Sequence, residues 1–282
     1  MNIQETPFKI KTRVTYPPQN KIIFEEYFYD WFIRNNPETK KTYLPIFWTN
    51  YYHAEGTGMG EINSFLNTLD KNRQYFTIIQ WDDGIMSSFP YENITVFGQG
   101  GGSGKPNCKI GDYSIPLNCL PNPNLQIKKE KTIFASFKGA IVGRNLIREK
   151  MLNSLRGKKD YLLQDIAGES NYESFSDIMS SSTFSLCPRG YGATSFRICE
   201  ALQHQSIPVY ITDKLWVPFN DLINFNDYGV LIEEKDIGNI DRILKSLSQE
   251  EIDNKINFGK TVYEQYYSFE GCASKIIQIT NR

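Results

Sequence analysis

The second half of the chain alternates short apolar runs with amphipathic segments, and this pattern predicts a parallel α/β sheet. The predicted strands are the apolar runs at residues 132–137, 161–163, 183–187, 207–211 and 229–232. The predicted helices are the segments between them at residues 144–156, 172–179 and 195–205. Strands that alternate with helices pair in parallel and are covered by helices on both faces. Such sheets bind ligands outside the carboxyl ends of their strands, so we expect a site at the junctions that follow them.

The first half is predicted to be mixed α/β as well. Residues 22–33 form a dense aromatic and aliphatic segment whose length favours a buried helix, and residues 59–69 carry apolar residues at helical spacing. Short apolar runs at residues 43–48 and 75–80 are predicted buried strands. Residues 98–124 are rich in Gly and Pro and are predicted to be irregular.

Two domains are predicted, because a single hydrophobic core stops growing near ~250 residues and the chain has 282. The end of the irregular segment, residues 118–124, is the best candidate for a linker. The expected domains are residues 1–122 and 123–265, both Rossmann-like. The tail is predicted to be largely helical, and residues 266–282 are expected to form a C-terminal helix that packs back on the first domain.

Composition excludes several classes of protein. The 31 basic residues are balanced by 32 acidic ones, which argues against a nucleic-acid partner or an anionic membrane. No apolar run is long enough to span a membrane, and no signal peptide is evident. The five cysteines are odd in number and include no C-x-x-C pair, so free thiols and a soluble or cytoplasmic protein are expected. The 14% aromatic content is compatible with sugar-stacking surfaces or with large core fillers.

The richest segment for chemistry is residues 184–201, FSLCPRGYGATSFRICEA, where a predicted strand passes through a Gly-containing loop into a helix. Glycines let the backbone approach a ligand, and a helix start offers free N–H groups to an anion. Arg189 and Arg197 flank this junction, and guanidinium groups suit phosphate oxygens. Glu200, one turn into the helix, is placed to hold the hydroxyls of a ribose. The alternative interpretation is an ordinary βα turn with a structural Arg–Glu pair.

A second strand-to-helix junction carries further basic residues. Lys138 and Gly139 end the strand that begins near residue 132, and Arg144 and Arg148 open the following helix. Because both junctions belong to the same predicted sheet, they are expected to face one cleft. The alternative is solvated charge at a helix start.

Two well-known phosphate and metal motifs are excluded by their spacing. Residues 98–106, GQGGGSGKP, resemble a P-loop, but Gln99 stands where the first Gly belongs and Pro106 replaces the hydroxyl that binds magnesium. A flexible loop, able to order over a substrate, is the preferred interpretation. The chain has no D-x-D, and neither His53 nor His204 has neighbours at ligand spacing, so no metal is predicted.

Acidic residues follow apolar runs in the first half and are candidates for a general base. Asp82 and Asp83 come shortly after the run at residues 75–80, and His53 and Glu55 come after the run at residues 43–48. A carboxylate beside an aromatic ring at a strand's carboxyl end suits the deprotonation of a sugar hydroxyl. The alternative for the Asp82–Asp83 pair is a simple turn, and the sequence leaves open which of the four residues acts.

Together these residues resemble the exostosin family of inverting glycosyltransferases. The strongest similarity is FSLCPRG at residues 184–190 with Ser195, Arg197 and Glu200, which look like the family's F-C-L-x-P-x-G and S-x-R-x-x-[ED]-A patterns. Residues 207–213, IPVYITD, and residues 137–141, FKGAI, are similar to two further motifs. The resemblance covers roughly residues 20–235. Two family histidines are replaced by Tyr75 and Trp81, so roles on the acceptor side carry over less directly.

The resemblance implies a GT-B fold, in which an acceptor-binding and a nucleotide-sugar-binding Rossmann-like domain face each other across a cleft. It implies an enzyme that moves a sugar from a UDP-sugar of the xylose, galactose or glucuronate type to a glycan hydroxyl, with inversion and without a metal or other cofactor. Members of the family usually carry an N-terminal anchor, and a compact, anchorless member is expected here. A non-catalytic sugar-binding or scaffold protein of the same fold is the alternative. The predicted UDP-sugar site comprises Lys138, Arg144, Arg148, Pro188, Arg189, Gly190, Tyr191, Thr194, Ser195, Arg197 and Glu200.

Overall fold

The computed structural model of the protein describes residues 1–11, 22–86, 88–122, 125, 130–141, 146–165 and 172–282, with only the backbone of residues 172–174. The chain divides into two compact units. The first contains Met1–Leu120 and Gln265–Arg282, and the second contains Pro121–Glu264. Each unit has its own parallel sheet. Because the first unit contains two separate segments, the chain passes from one unit to the other twice.

The first unit is built on a parallel sheet. Its elements up to residue 120 are α1 (Phe24–Asn35), β1 (Thr42–Tyr43), α2 (Trp48–Glu55), α3 (Gly60–Leu66), β2 (Tyr75–Ile79), β3 (Ile94–Gly98) and β4 (Tyr113–Ser114). The strands of this sheet lie in the order β1-β2-β3-β4, each parallel to its neighbour. The two helices predicted in this half, at residues 22–33 and 59–69, are confirmed as α1 and α3.

Aromatic side chains fill much of the core of the first unit. The rings of Tyr43 and Phe76 stack with centroids 5.1 Å apart, and Phe28 and Phe32 of α1 pack on both. All four side chains are buried. The high aromatic content therefore serves largely as core filling in this unit, one of the two uses that the composition left open.

The predicted strand at residues 43–48 is wrong over most of its length. The strand ends at Tyr43, and Trp48 already begins α2. The N–H of Leu44 still bonds to the carbonyl of Phe76, but Pro45 has no N–H with which to continue the ladder. The irregular segment at residues 98–124 also contains a short strand, β4, and β3 precedes it as a strand that the sequence analysis did not identify.

The second unit follows the predicted alternation closely. Its elements are β5 (Ile133–Gly139), α4 (Leu146–Leu155), β6 (Tyr161–Asp165), α5 (Tyr172–Ser181), β7 (Ser182–Pro188), α6 (Phe196–Gln203), β8 (Ile207–Thr212), β9 (Val230–Glu233), α7 (Ile240–Lys245) and α8 (Gln249–Val262). Short 3-10 helices lie at Phe225–Asp227 and Glu234–Asn239. All strand pairs of its sheet are parallel. The α/β fold class, with a parallel sheet in each half, is confirmed.

The order of the second sheet creates a crevice at one place along its edge. The strands lie in the order β6-β5-β7-β8-β9, so the chain leaves β5 toward one side and β7 toward the other. The helices that follow these two strands therefore diverge. In sheets of this kind ligands bind at this switch point, outside the carboxyl ends of the two strands.

The C-terminal segment returns to the first unit. A π-helical turn at Tyr263–Tyr267 leads into α9 (Phe269–Thr280), which packs on α1. The carboxylate of Glu270 accepts hydrogen bonds from the indole N–H of Trp31 at 2.7 Å and from the hydroxyl of Tyr27 at 3.1 Å. These bonds, with the rings of Phe24 and Phe269 at 5.4 Å, fix α9 in place.

Candidate functional site

The guanidinium group of Arg197 lies between two aromatic rings at the switch point of the second sheet. Its central carbon is 4.9 Å from the ring centroid of Phe137, on β5, and 5.2 Å from that of Phe175, on α5. Gly139, the last residue of β5, leaves room for the group, because a Cβ there would lie 2.2 Å from Nη2 of Arg197. Contact with two aromatic rings restricts where this cation can lie, and a guanidinium group is of a type that suits anions.

Arg197 also belongs to the start of α6. Ser195 is the N-cap of this helix, and its hydroxyl accepts a hydrogen bond from the N–H of Arg197 at 3.3 Å. Helix starts favour negative charge because their N–H groups point away from the helix. The predicted helix start at Ser195 is thus confirmed, and it places a fixed cation within the first turn.

Arg148, on α4, belongs to the strand-to-helix junction after β5 and contacts the same Phe137 ring. Its guanidinium carbon is 5.9 Å from the centroid of Phe137, and its Nη1 donates to the carbonyl of Ala140 at 2.6 Å. A Cβ on Gly190, in the loop after β7, would lie 4.0 Å from Nη2 of Arg148. The structure therefore brings together the two strand-to-helix junctions, as the sequence analysis expected. Arg144, the other basic residue predicted there, lies outside the described residues.

A small cleft adjoins these groups. Its lining residues are Ser136, Phe137, Lys138, Phe175, Ile178, Met179, Leu186 and Arg197. Lys138 is only 8% exposed, so its charge lies close to the sheet and not in open solvent. The lining combines apolar side chains with the cationic side chains of Lys138 and Arg197, which is compatible with a negatively charged group at this place.

The loop between β7 and α6 is held by backbone and side-chain bonds. The N–H of Gly190 donates to the carbonyl of Thr194 at 2.9 Å, and the hydroxyl of Tyr210 donates to the carbonyl of Ala193 at 2.5 Å. Pro188 is the last residue of β7. Tyr191, at the tip, is 60% exposed. The loop is thus braced at its base and presents an aromatic ring at its tip.

Arg189 serves as one of these braces. Its Nη2 donates to the Asp213 carboxylate at 2.9 Å, its Nε bonds to the other carboxylate oxygen, and its Nη1 donates to the carbonyl of Gly190 at 3.0 Å. The hydrogen bonds from Arg189 lower the pKa of Asp213. This fork-to-fork pair ties the loop to the end of β8. The predicted contact of Arg189 with a nucleotide-sugar stays a prediction.

Glu200 and His204 are buried side chains of the same helix end. Burial raises the pKa of Glu200, while the nearby charge of Arg197 opposes that rise. His204 bonds through Nδ1 to the carbonyl of Glu200 at 2.7 Å and through Nε2 to the hydroxyl of Ser176 at 2.8 Å. Because a carbonyl can only accept, Nδ1 carries the proton, and burial lowers the pKa of this imidazole. His204 is therefore a neutral structural residue.

On the first unit, the two neighbouring aspartates after β2 have different surroundings. Asp83 is 2% exposed and accepts hydrogen bonds from Nζ of Lys105 at 2.7 Å and from the hydroxyl and the N–H of Ser103. Burial alone would raise its pKa, but these donors hold it below the usual value. Asp82 is partly exposed, and burial together with the charge of Asp83 raises its pKa to about 6. Asp82 is thus the aspartate placed to exchange a proton.

His53 and Glu55 lie at the end of α2, and both are exposed. The imidazole of His53 packs edge to face against Trp81, with ring centroids 5.1 Å apart. Trp81 directly precedes Asp82 in the chain. The premise that His53 and Glu55 follow a strand end is wrong, because a helix of two turns separates them from β1. His53 nevertheless remains beside the candidate base.

The Gly-rich segment at residues 98–106 packs closely on the aspartates. A Cβ on Gly100 would lie 2.3 Å from Cα of Asp82, and the N–H of Gly102 donates to the carbonyl of Asp82 at 2.8 Å. The segment runs from β3 toward β4 with no helix between them, so it is not a P-loop. Its interpretation as a merely flexible loop misses its contacts: Ser103 and Lys105 hold the Asp83 carboxylate.

Sequence reasoning missed Phe175 as a partner of Arg197. Phe175, Ile178 and Met179 recur at helical spacing on α5, a pattern that normally indicates core packing. Only the structure places that ring against a cation. Trp81, noted in the sequence as a departure from the family pattern, is the ring that links His53 to the aspartates.

Metal-binding groups and membrane-spanning helices can be judged only for the residues that the structure describes. Among those residues no group of three or more His, Cys, Asp or Glu side chains is arranged to hold a metal ion. No helix in the described ranges combines the length and the apolar character that crossing a membrane requires.

Comparison with known proteins adds independent information. The family model described as "Exostosin GT47 domain" matches residues 75–247, from β2 to α7. The chain is 40% identical over 94 residues to a probable β-1,4-xylosyltransferase of Arabidopsis thaliana and 38% identical over 94 residues to a probable glucuronosyltransferase of Physcomitrium patens. Each match covers 33% of this chain, but only 22% and 21% of those relatives. The GtfA/B complex overlays with a TM-score of 0.48 at 11% identity, covering 91% of this chain and 59% of that one.

Proposed function

The chain belongs to the exostosin GT47 domain family, and from this premise we propose that it is an inverting glycosyltransferase that moves a sugar from a UDP-sugar to a hydroxyl group of a glycan. The second unit would bind the donor, and the first would supply the base that activates the acceptor. The matched segments span only about a fifth of the length of these two relatives.

The observation that carries this proposal is the pair of guanidinium groups on the Phe137 ring at the switch point. Arg197 and Arg148 come from different helices and lie 4.9 and 5.9 Å from the same centroid. When the bond between the sugar and UDP breaks, negative charge develops on the diphosphate. Fixed cations and helix N–H groups aimed at that charge stabilise the transition state without reorganisation. Mobile surface charges would supply much less.

The chemical step needs one proton acceptor. The acceptor hydroxyl would lose its proton to Asp82 while its oxygen attacks the anomeric carbon, and the bond from that carbon to the diphosphate oxygen would break on the opposite face, which inverts the configuration. A base works best when its pKa lies near the working pH, and burial brings that of Asp82 to about 6. Asp83, bound by Lys105 and Ser103, would shape the segment around it.

The remaining donor-site residues have supporting roles in this proposal. Glu200 would bind the ribose, and Lys138 would add positive charge beside the diphosphate. With these cations in place we propose that transfer needs no divalent metal. The names of the two relatives keep UDP-xylose and UDP-glucuronate among the candidate donors, together with UDP-galactose.

A screen of UDP-sugars tests the proposal. A ligand that binds only the folded state raises the melting temperature, and at equal concentration it does so more the tighter it binds, so the correct donor should stabilise the protein most. That donor should then be consumed in a transfer assay with and without EDTA. Stabilisation by a UDP-sugar without transfer or donor hydrolysis would instead support the non-catalytic sugar-binding alternative, and no stabilisation by any donor would contradict both.

A further inference from the structure

A buried carboxyl group on α1 joins three segments of the first unit. Glu25 is 1% exposed. Its Oε1 accepts the N–H of Gln80 at 2.7 Å and the hydroxyl of Thr49 at 2.7 Å, and its Oε2 accepts the N–H of Thr49 at 3.1 Å. One side chain therefore holds the residue that follows β2 and the first turn of α2 at the same time.

The bond to Gln80 is reinforced in the opposite direction. The side-chain carbonyl of Gln80 accepts the N–H of Phe24 at 3.0 Å, so two hydrogen bonds clamp the start of α1 to the end of β2. Asp82 lies two residues beyond Gln80. Because so short a link has only a few rotatable bonds, the position of the Gln80 backbone limits where the Asp82 carboxylate can be.

The bond to Thr49 acts on the other neighbour of the candidate base. Thr49 and His53 are four residues apart on α2 and so lie on one face of that helix. The His53 ring in turn packs against Trp81 with centroids 5.1 Å apart. The two segments that Glu25 holds thus meet again at Trp81, the residue before Asp82.

On this geometry, and resting on the proposed function, we propose that Glu25 is a positioning residue for the acceptor-side base Asp82. It acts through the backbone of Gln80 and through α2, without contact with the reacting atoms. Since misplacement of a catalytic group by about 1 Å can cost a hundredfold in rate, a clamp at the root of this segment would contribute directly to turnover.

The position requires a carboxyl group and not merely a side chain of that size. The N–H groups of Gln80 and Thr49 can only donate, and each bonds to a different oxygen as its nearest acceptor. In Glu25→Gln, an oxygen in the Oε1 position leaves the amide NH₂ facing the N–H of Thr49, which then keeps only its longer, 3.3 Å bond to that oxygen. The opposite orientation takes the acceptor away from the N–H of Gln80. The substitution therefore weakens the hold on one of the two segments while preserving the volume of the side chain.

Burial supports the same view. It raises the pKa of Glu25 to about 8, although the hydrogen bonds from Gln80 and Thr49 lower it. A buried acid is costly to the fold. A positioning role accounts for its presence between α1, α2 and β2, where an apolar side chain would leave the N–H groups of Gln80 and Thr49 without this acceptor.

The test compares Glu25→Gln with Glu26→Gln in the full chain. Glu26 is the next residue, is partly buried and accepts a bond from the side chain of Asn50 at 2.5 Å, which a glutamine oxygen can also accept. We expect Glu25→Gln to lower kcat at least about tenfold while the KM for the donor and the Kd for UDP stay unchanged. Glu26→Gln should transfer sugar like the unsubstituted protein.

A second readout does not depend on activity. The chain has 4 Trp residues, so 5-fluorotryptophan labelling gives a small set of ¹⁹F resonances that Trp→Phe variants can assign. In Glu25→Gln the Trp81 resonance should shift or broaden, and that of Trp216 in the second unit should not. If Glu25→Gln does not fold, Thr49→Val removes only the hydroxyl donor and should change both readouts in the same direction.

The outcomes separate the two proposals. A folded Glu25→Gln protein with unchanged kcat and an unchanged Trp81 resonance would overturn the positioning role and leave the proposed function intact. Failure of the unsubstituted protein to transfer sugar from any UDP-sugar would contradict the proposed function and with it a catalytic purpose for Glu25. An altered Trp81 resonance with full kcat would show a structural contact only, and would also overturn the inference.

Discussion

The last residue of β5, Gly139, and the guanidinium group of Arg197 occupy adjoining space, since a Cβ on Gly139 would lie 2.2 Å from Nη2 of Arg197. The backbone of Gly139 does not require glycine, because its φ angle lies outside the left-handed region. The absence of a side chain is therefore what admits the cation between Phe137 and Phe175.

We expect Gly139→Ala to weaken UDP binding by about tenfold or more. The new methyl group would displace the guanidinium group of Arg197, which would then lose its proposed charge-assisted hydrogen bond to the diphosphate. The melting temperature should change little. Gly238→Ala, in the same unit, is the matched control, because a Cβ there meets nothing within 4 Å. Calorimetric titration with UDP measures the effect, and equal affinities for the two variants would contradict this account of Gly139.

The rate of transfer should depend on pH through Asp82. Burial and the charge of Asp83 raise the pKa of Asp82 to about 6, and a base must be unprotonated to act. The rate should therefore fall as the pH drops below about 6 and level off above it. Asp82→Asn should remove most of kcat while UDP binding persists. An unchanged acidic limb in a still active Asp82→Asn protein would assign the proton to another group.

Asp83 should matter for stability more than for proton transfer. Its buried carboxylate is paired with Lys105, whose side chain is 46% exposed. Lys105→Met leaves that carboxylate with fewer donors, and we expect a loss of about 1–3 kcal/mol in the free energy of unfolding. Denaturant titration measures it. A loss of kcat in Lys105→Met with unaltered stability would instead indicate a direct role in the reaction.

Gly100 should control the acceptor side without affecting the donor side. A Cβ on Gly100 would lie 2.3 Å from Cα of Asp82, a backbone atom that cannot rotate away. Gly100→Ala should displace Asp82 and lower kcat at least about tenfold, with the Kd for UDP unchanged. Gly60→Ala, which meets nothing within 4 Å, is the control. If Gly100→Ala reduces UDP affinity and kcat equally, the effect is on the whole fold.

The strand and helix pattern of the second unit was predictable because its period is local. Apolar runs such as residues 207–211 and the helix start at Ser195 are recognisable within a few residues. Strand order is not local. β5 lies beside β7, and this pairing brings Arg148 and Arg197 to one ring. The pairing joins distant segments of the chain, and the family resemblance indicated it only indirectly.

The residue types of the candidate site were predictable from the sequence, but the partners of each side chain were not. Asp82 and Asp83 are indistinguishable in sequence, and the difference between them comes from Lys105, which lies 22 residues away and closes on only one of them. Arg189 is a candidate phosphate ligand in the sequence, and only the structure shows that its guanidinium group also pairs with Asp213, 24 residues later. Glu25 gave no signal, since its partners Thr49 and Gln80 lie 24 and 55 residues away.

The proposed donor site depends on Arg197 more than on any other residue, and the removal of this side chain is the most direct test. Arg197→Ala and Arg197→Lys should be compared with the unsubstituted protein by calorimetric titration with UDP in the presence of EDTA. We predict metal-free binding to the unsubstituted protein, a loss of at least about tenfold, or 1.4 kcal/mol, in Arg197→Ala, and incomplete rescue by lysine, which lacks the planar group that contacts Phe137 and Phe175. UDP affinity in Arg197→Ala equal to that of the unsubstituted protein would contradict this prediction.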